Sequence, residues 1–500
     1  MPIIYAYDYE LSGVTEKTIV KGDLQRLDYN YEKALEFYHM ALKSLKDKEN
    51  RLELYKKIAI CYWFICDYQK SLQFFEKAVQ LAKGPKRSLL YRAIAACYID
   101  IGDYDSAILM IDEGKYNARE RLLRNVMGLM EIFYLLEKDR IITAQKKVRR
   151  IAKLIDKEKN IGTYAEFLVS SAAVEATTGH LMSAEQKVEE ALGIFQDLGM
   201  IQGVANSYHM LGQYNRKLKR FKKAKTYFER AIESYLEIRL PLGEIKSYLE
   251  LGALYYEFGQ YELAEEYLLK CHRFDNVREF NLVRMEAFYY MGLVKYNLEE
   301  YAASIENLEK SLSLAKLKDL KGWKIRLQLQ MAEIFLLGSG DLQRFLAMRR
   351  AYWTLFDEDT SVIFRVRDKY LLSHYYYSTD KVNCMIKVLK KYAMPMVKKH
   401  AKVLEPRYKM MIHIMFALAY SKKTWIKWGQ KYLDHALRIA RQAGDPIFLA
   451  LIHYYSGLFY SEKKDKREAR EFLNKALQAM EELNVPRLQR NIKRALDRLI

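Results

Sequence analysis

The amino-acid sequence predicts an all-α protein with the architecture of a right-handed α-solenoid, a superhelix of stacked helix-turn-helix repeats. Half of the 500 residues are apolar and 13% are aromatic, which is enough for a packed core. The chain has only 22 glycines and 7 prolines, a composition that favours long helices over sheets and turns. A short pattern of small and large residues also recurs along it, as expected of hairpins that bury their apolar faces by stacking on one another.

The recurring pattern is a small residue, a large apolar residue four positions later and a second small residue three positions after that. Between Ala144 and Ser304 the first small residue returns every 40 positions, and the earlier repeats are 36 or 37 positions long. Ten repeats are clear, and two degenerate repeats are projected near Arg344 and Cys384. We therefore expect about twelve hairpins, whose clear second helices are marked by Ala34, Ser71, Ala107, Ala144, Ala184, Ala224, Ala264, Ser304, Gly429 and Ala469.

The first helix of most hairpins carries its own small residue, twelve positions before the one that marks the second helix. A small residue that faces a bulky one lets the two helices pack closely. Four prolines each lie 11 positions before an observed or projected small residue of this kind, and they are Pro241, Pro406, Pro446 and Pro486. A proline costs least at the start of a helix, where its missing N–H has no partner within the helix, so these four predict helix starts. The last of these predicts a lone capping helix at the C-terminus.

These observations divide the chain into five sections. They are an irregular segment over 1–13, a regular array over 14–320, degenerate and basic repeats over 321–410, regular repeats over 411–485 and the capping helix over 486–500. The N-terminus lacks the basic region and apolar run of a signal peptide, and no stretch of about 18 uncharged apolar residues exists to span a membrane. We therefore expect a cytoplasmic protein.

The repeat pattern resembles that of the tetratricopeptide repeat family over nearly the whole chain. The residues that stand where this family has its hallmark residues are Gly212, Gly252, Gly292, Gly457, Tyr255, Tyr261, Ala231 and Ala264. The 40-residue spacing is similar to the longer repeats of bacterial signal-transduction ATPase sensors and of kinesin light chain, and it differs from the 34-residue form of chaperone adaptors.

The resemblance implies a concave groove lined by the first helix of each hairpin. Carried onto this chain, the groove positions give basic, polar and aromatic residues, namely Lys56, Trp63, Arg92, His209, Gln213, Arg216, Lys217, Tyr256, Tyr289 and Tyr296. Aromatic surface with cationic neighbours suits a peptide that carries acidic and apolar side chains. Some of these tyrosines could instead pack against the next repeat. The carboxylate clamp of the chaperone-binding members is not matched, because Ile60 stands where that clamp has an asparagine.

Positive charge is concentrated in one section of the chain. Residues 361–430 contain 15 Lys and Arg against 3 Asp and Glu, whereas the net charge of the whole chain is +20. Aromatic residues are interleaved with this charge, and the repeat pattern is weak in part of the section. Two interpretations remain open, a solvated face and a docking surface for an acidic partner, and the candidate residues are Arg365, Arg367, Lys387, Lys390, Lys391, Lys398, Lys399, Lys402 and Arg407.

The sequence shows no sign of catalytic or metal chemistry. It contains no GxxxxGK[ST], HExxH or GxSxG motif. The five cysteines are an odd number without a CxxC pair, so they suit neither a disulfide framework nor a zinc site. We predict no catalytic residue, no metal ion and no cofactor, and hence no enzyme.

Three functions fit these observations. The first is a non-enzymatic scaffold that binds a protein or peptide in its groove, with the basic section contacting an acidic partner. The second is a ligand-sensing or autoinhibitory domain of a larger signalling or transcription regulator. The third is sequence-independent binding of nucleic acid, which rests on charge alone and requires an affinity that falls steeply as salt rises.

Overall fold

A computed structural model describes residues 14–272, 280–401 and 404–499, and within these ranges the chain is helical with no β-strand. The helices are arranged as twelve successive hairpins followed by a single helix, in the part of the chain that the structure describes. The predicted all-α solenoid is therefore confirmed. None of the described helices is long and apolar enough to cross a membrane.

The first six hairpins pair helices of similar length. Their bounds are α1 Val14–Leu27 with α2 Tyr31–Ser44, α3 Lys48–Phe64 with α4 Tyr68–Leu81, α5 Gly84–Ile101 with α6 Tyr104–Asn117, α7 Arg121–Glu137 with α8 Ile141–Ala152, α9 Ile161–Thr177 with α10 Leu181–Asp197, and α11 Ile201–Lys217 with α12 Phe221–Glu237.

The remaining hairpins include two with irregular helices. Their bounds are α13 Pro241–Glu257 with α14 Tyr261–Lys270, α15 Asn281–Asn297 with α16 Tyr301–Leu317, α17 Lys321–Glu333 with α18 Leu342–Trp353, α19 Val362–Ser378 with α20 Val382–Val388 and α21 Met394–Lys399, α22 Pro406–Lys422 with α23 Ile426–Ala443, α24 Pro446–Glu462 with α25 Lys466–Glu482, and the lone α26 Pro486–Asp497.

The chain forms two compact units. The first comprises Met1–Leu254 and Leu269–Val283, and the second comprises Tyr255–Leu268 and Arg284–Ile500. The boundary between them passes through the α13 and α14 hairpin.

Local sequence explains where many helices begin. The prolines predicted to start first helices are the first residues of α13, α22, α24 and α26. Aspartates precede several other helices, and their carboxylates accept a hydrogen bond from the backbone N–H three residues later, as at Asp67, Asp103 and Asp465. Such a cap satisfies one of the free N–H groups of the first turn.

The small-to-large pattern is explained by close helix packing inside each hairpin. A Cβ atom on Gly212 would lie 2.5 Å from the Phe228 ring, and one on Gly457 would lie 2.5 Å from Cγ of Leu473. Only a residue without a side chain fits at that separation. The bulky residue is buried, since neither Phe228 nor Leu473 exposes any surface.

The two degenerate repeats contain π-helical turns. The α17 helix continues into a π segment at Ile334–Gly338, and a second π segment at Leu389–Ala393 joins α20 to α21. In the first, the Ser339 N–H donates to the Ile334 carbonyl five residues earlier, at 3.0 Å. A π turn accommodates an extra residue in an α-helix, so the side chains that follow are rotated out of the repeat register.

Each unit brings residues from its distant hairpins together. In the first unit the Tyr31 hydroxyl donates to the Ile238 carbonyl at 3.0 Å, across 207 positions of sequence. In the second unit Nδ2 of Asn484 donates to the Gly259 carbonyl at 2.8 Å. Within each unit the array therefore curves far enough for its early and late repeats to meet.

Candidate functional site

The first helices of successive hairpins lie side by side in each unit, and we call the surface that they form the first-helix face. In the first unit, Nε1 of Trp63 on α3 donates to Asp100 on α5 at 2.9 Å. Arg92 on α5 forms an ion pair with Glu166 on α9 at 2.8 Å, and both side chains are only 13% exposed. Lys56 bonds to Glu53 on its own helix at 2.7 Å. These predicted groove residues are thus engaged with residues of the same unit.

The α11 helix carries the next group of predicted groove residues. Nδ1 of His209 lies 2.9 Å from the Ser247 hydroxyl on α13, and burial lowers the pKa of His209 to about 4. Gln213 donates to Glu250 on α13 at 2.7 Å, and Arg216 forms an ion pair with the same carboxylate. These contacts leave little uncompensated charge on this part of the first-helix face, apart from the exposed Lys217.

The three predicted groove tyrosines lie on the first helices of the second unit. The Tyr256 ring is 6.0 Å from that of Tyr290, and the Tyr289 ring is 5.5 Å from that of Trp323. The Tyr296 side chain is only 4% exposed, and its hydroxyl has no hydrogen-bond partner in the described structure.

Three arginines of the second unit act electrostatically on one carboxylate, and one of them is in contact with it. Arg367 on α19 donates to Glu333 on α17 at 2.7 Å and to Oε1 of Gln330 at 2.6 Å. The Arg487 guanidinium on α26 lies over the Tyr296 ring on α15, 4.3 Å from its centroid. Arg407 on α22 is solvent-exposed. We call Glu333, Arg367, Arg407 and Arg487 the arginine cluster.

The electrostatics of Glu333 show that the three guanidinium groups act on one place. Burial alone would raise the pKa of this carboxyl group, but the positive charges of Arg367, Arg407 and Arg487 hold it below its ordinary value. Glu333 is therefore ionised at neutral pH. One carboxylate against three guanidinium groups leaves two positive charges in excess.

Several polar atoms in or beside the cluster have no partner. Among the described residues, neither Arg407 nor Arg487 has an anion within ion-pair distance, and Nε of Arg487 is buried without a hydrogen bond. Nε2 of His374 is also buried and unpartnered, and burial lowers the pKa of this imidazole to about 4. Unpaired buried polar atoms are uncommon and costly in folded proteins, and the exposed Arg407 adds a cation that a ligand can reach.

The predicted basic section falls into two parts. Arg367 and Arg407 lie on the first-helix face with the tyrosines. Arg365 instead donates to the Thr360 carbonyl at 3.1 Å. Lys402 lies outside the described residues, and the remaining lysines are exposed, namely Lys387, Lys390, Lys391, Lys398 and Lys399.

Sequence reasoning missed two members of the arginine cluster. Neither Glu333 nor Arg487 was singled out from the sequence. A signal for Arg487 was present, because the dipeptide Pro-Arg begins both α22 and α26, at Pro406-Arg407 and Pro486-Arg487. The same register position therefore carries arginine in two first helices, 80 residues apart.

Metal chemistry finds no support in the described ranges, where no three His, Cys, Asp or Glu side chains are grouped to hold an ion. Four of the five cysteines are buried as free thiols. Burial raises the pKa of Cys61 to about 12 and that of Cys271 to about 12, so neither is a thiolate at neutral pH.

Comparison with known proteins supports the repeat type. The family model for the tetratricopeptide repeat matches residues 205–237, 245–276 and 452–479. A comparison with curated protein sequences finds no match.

One solved structure shares the fold at low sequence identity, and two others are more distantly similar. The apo form of the quorum sensor NprR from B. thuringiensis is 14% identical, with a TM-score of 0.54 over 75% of this chain and 98% of that one. Aspartyl phosphate phosphatase F from Bacillus subtilis is 13% identical, with a TM-score of 0.49 over 71% and 93%. A signal-transduction ATPase with a tetratricopeptide repeat sensor from Pyrococcus horikoshii is 14% identical, with a TM-score of 0.43 over 66% and 53%. The three matched segments are therefore repeats of the tetratricopeptide type, and the stacked hairpins around them share the fold of such an array.

Proposed function

We propose that the protein is a non-enzymatic scaffold that binds a protein or peptide segment on its first-helix face. An acidic side chain of that segment contacts the arginine cluster in the second unit. The observation that carries this proposal is the excess of two positive charges around Glu333, with Arg407 and Arg487 unpaired among the described residues. Arginine is the residue best suited to bind a carboxylate through two parallel hydrogen bonds.

The aromatic side chains beside the cluster supply the apolar part of the contact. Tyr289 and Trp323 are in edge contact at 5.5 Å, and Arg326 lies 4.6 Å from the Trp323 ring. Tyrosine, tryptophan and arginine are the residues that most often dominate binding energy at protein interfaces. An extended or helical segment with alternating acidic and apolar residues fits this chemistry.

The first unit differs from the second on its own first-helix face. Several of its predicted groove residues are paired with neighbouring carboxylates, as Arg92 is with Glu166 and Arg216 with Glu250. A ligand there replaces existing hydrogen bonds instead of satisfying free ones, so we expect the first unit to bind such a segment more weakly than the second.

A defined peptide library tests this proposal. We would select random dodecapeptides on the wild-type protein and measure the affinity of the enriched peptides by fluorescence anisotropy. We expect enrichment of Asp and Glu, and a loss of affinity of tenfold or more in Arg407→Glu, since a lost charge-assisted hydrogen bond costs about 1.5–3 kcal/mol. Arg407 is the appropriate position, because it makes no ion pair among the described residues whose loss would disturb folding.

The control is a charge reversal outside the arginine cluster. The double variant Lys316→Glu/Lys318→Glu changes the net charge by more than Arg407→Glu does, at exposed positions. An equal loss of affinity in both variants would reduce the effect to net charge and contradict a specific site. A library without enriched peptides would contradict the proposed function itself.

We also propose that the exposed lysines accelerate association with an acidic partner. Lys390, Lys391, Lys398 and Lys399 are all exposed within a short stretch of chain. Rim charges of this kind change the association rate and its salt dependence more than the dissociation rate. Reversing all four should slow association of the selected peptide at low salt and leave dissociation unchanged. A slower association that persists at high salt would contradict this role, because screening should remove it.

A further inference from the structure

We infer that the arginine cluster is a receptor for a dianionic phosphoryl group. This inference rests on the proposed function, because it identifies the group of the bound segment that the cluster receives. It goes beyond that function, since a carboxylate side chain and a phosphoryl group make different demands on a site.

The charge of the cluster matches two negative charges better than one. Arg367 is paired with Glu333, whereas Arg407 and Arg487 have no anion within ion-pair distance in the described structure. A single carboxylate would leave one of these guanidinium groups uncompensated. A phosphorylated side chain carries a charge of about −1.5 to −2 at neutral pH and neutralises both.

The donors also outnumber the oxygens of a carboxylate. Each guanidinium presents several N–H donors in a planar fork, and Nε of Arg487 is buried without a partner. The Arg407 side chain is exposed and that of Arg487 is partly exposed. Three terminal phosphoryl oxygens offer acceptors to both guanidinium groups, whereas a carboxylate has two oxygens.

The groups that surround the cluster keep their protonation state across the pH range in which a phosphoryl group titrates. Attraction by the arginines lowers the pKa of Glu333 against the effect of burial, and burial lowers the pKa of His374 to about 4. The surrounding tyrosines have pKa values raised chiefly by burial, and they are Tyr256, Tyr289, Tyr296, Tyr370, Tyr454 and Tyr455. Between pH 5 and 8 the ligand is therefore the group that changes charge.

The experiment is calorimetric titration of the full chain with three small probes. They are the phosphomonoester N-acetyl-phosphoserine amide, sulfate as a permanent dianion, and acetate as a monocarboxylate. We expect the phosphomonoester to bind at pH 8 and to bind about tenfold more weakly at pH 5, because its second pKa is about 6. Sulfate should bind equally at both values, and acetate should bind at least tenfold more weakly than the phosphomonoester at pH 8.

Two variants locate the binding. Arg407→Met should reduce the affinity for the phosphomonoester at least tenfold, and Arg487→Lys should reduce it less, because the charge remains and only the planar fork is lost. The matched control, Lys316→Met/Lys318→Met, should leave it unchanged, because both lysines are exposed and have no role in the proposed contact. Circular dichroism checks that each variant is folded.

Each contrary result has a distinct meaning. Equal binding of acetate and the phosphomonoester would overturn the preference for a dianion. Unchanged binding in Arg407→Met and Arg487→Lys would show an adventitious ion only. Failure of all three probes, with acidic peptides still bound in an Arg407-dependent manner, would overturn this inference and leave the proposed function standing.

Discussion

Replacing Glu333 with glutamine should destabilise the second unit and strengthen its affinity for anions. Glu333 is the carboxylate on which the three guanidinium groups of the cluster act, and its side chain is 11% exposed against 12% for that of Arg367. Glutamine keeps the size of the side chain and an acceptor oxygen for Arg367, but it removes the negative charge. The excess of positive charge in the cluster then rises from two to three.

The size of the effect follows from the burial of the pair. Removing one partner of a buried ion pair costs about 3–5 kcal/mol, and we expect the lower end, about 3 kcal/mol, because glutamine still accepts a hydrogen bond. At about 1.4 kcal/mol per factor of ten, this loss corresponds to local opening about a hundredfold more frequent. The additional positive charge should raise the affinity for sulfate on the order of tenfold, which corresponds to about 1.4 kcal/mol. Two charges near a protein surface interact with an energy of at least this size.

Hydrogen–deuterium exchange is the appropriate assay, because a repeat array need not unfold in one step. Amides of α17 and α19 should exchange faster in Glu333→Gln, and added sulfate should restore much of their protection. The control Glu471→Gln removes an exposed carboxylate that pairs with Lys475 in the same unit, and it should change nothing measurable. Wild-type protection in Glu333→Gln, with unchanged sulfate affinity, would refute the reasoning.

Three further predictions concern the framework of the second unit. Asp368 is fully buried and accepts hydrogen bonds from several donors, Arg349 among them at 2.8 Å, so Asp368→Ala should lower the local opening free energy of α19 by about 3–5 kcal/mol in hydrogen exchange. The exposed helix cap Asp341→Ala should cost about 1 kcal/mol in the same measurement, and equal losses would contradict the role of burial. Burial raises the pKa of Asp368, but its cationic neighbours outweigh that effect and lower it, so its stabilisation is present above an unfolded pKa of about 3.9 and is lost as the pH falls below that value. Protection of α19 should therefore decline in acid in the wild type and decline less in Asp368→Asn, where the ion pair of Arg367 with Glu333 is still sensitive to acid. Finally, Gly457→Ala should cost about 1–3 kcal/mol by overpacking against Leu473. Combined with Leu473→Ala, the same substitution should cost less than it does in the wild type, and an unchanged cost would show that the loss has another cause.

The fold could be predicted from the sequence because its determinants are local. A glycine at 212 or 457 and its bulky partner lie within 16 positions of each other, so one hairpin contains the whole packing rule. The proline that starts a first helix has the same short range. The rule was hard to follow near Arg344, which comes after the first π turn, and near Cys384, whose short helix passes into the second π turn.

The candidate site could be predicted only in pieces, because its parts are distant in sequence. Tyr296 and Arg487 are in contact although 191 positions separate them. The spacing of residues within one repeat does not predict how far the array curves, so this contact could not be inferred from the sequence. Arg367 and Arg407 were recognised as basic and Tyr296 as a groove residue, but nothing in the sequence placed them on one face. Glu333 was missed because its helix belongs to a degenerate repeat.

The cluster differs from an ordinary structural ion network in the balance of its charges. The buried Asp368 is matched by Arg349 and Lys369 beside it, so that network is explained by stability alone. Arg407 has no such anion among the described residues, and the same is true of Arg487. Unpaired cations that repel one another around a single carboxylate destabilise the folded protein, so selection for stability alone would remove them. Their presence at one register position of two first helices is therefore better explained by a ligand that completes the charge balance than by the fold.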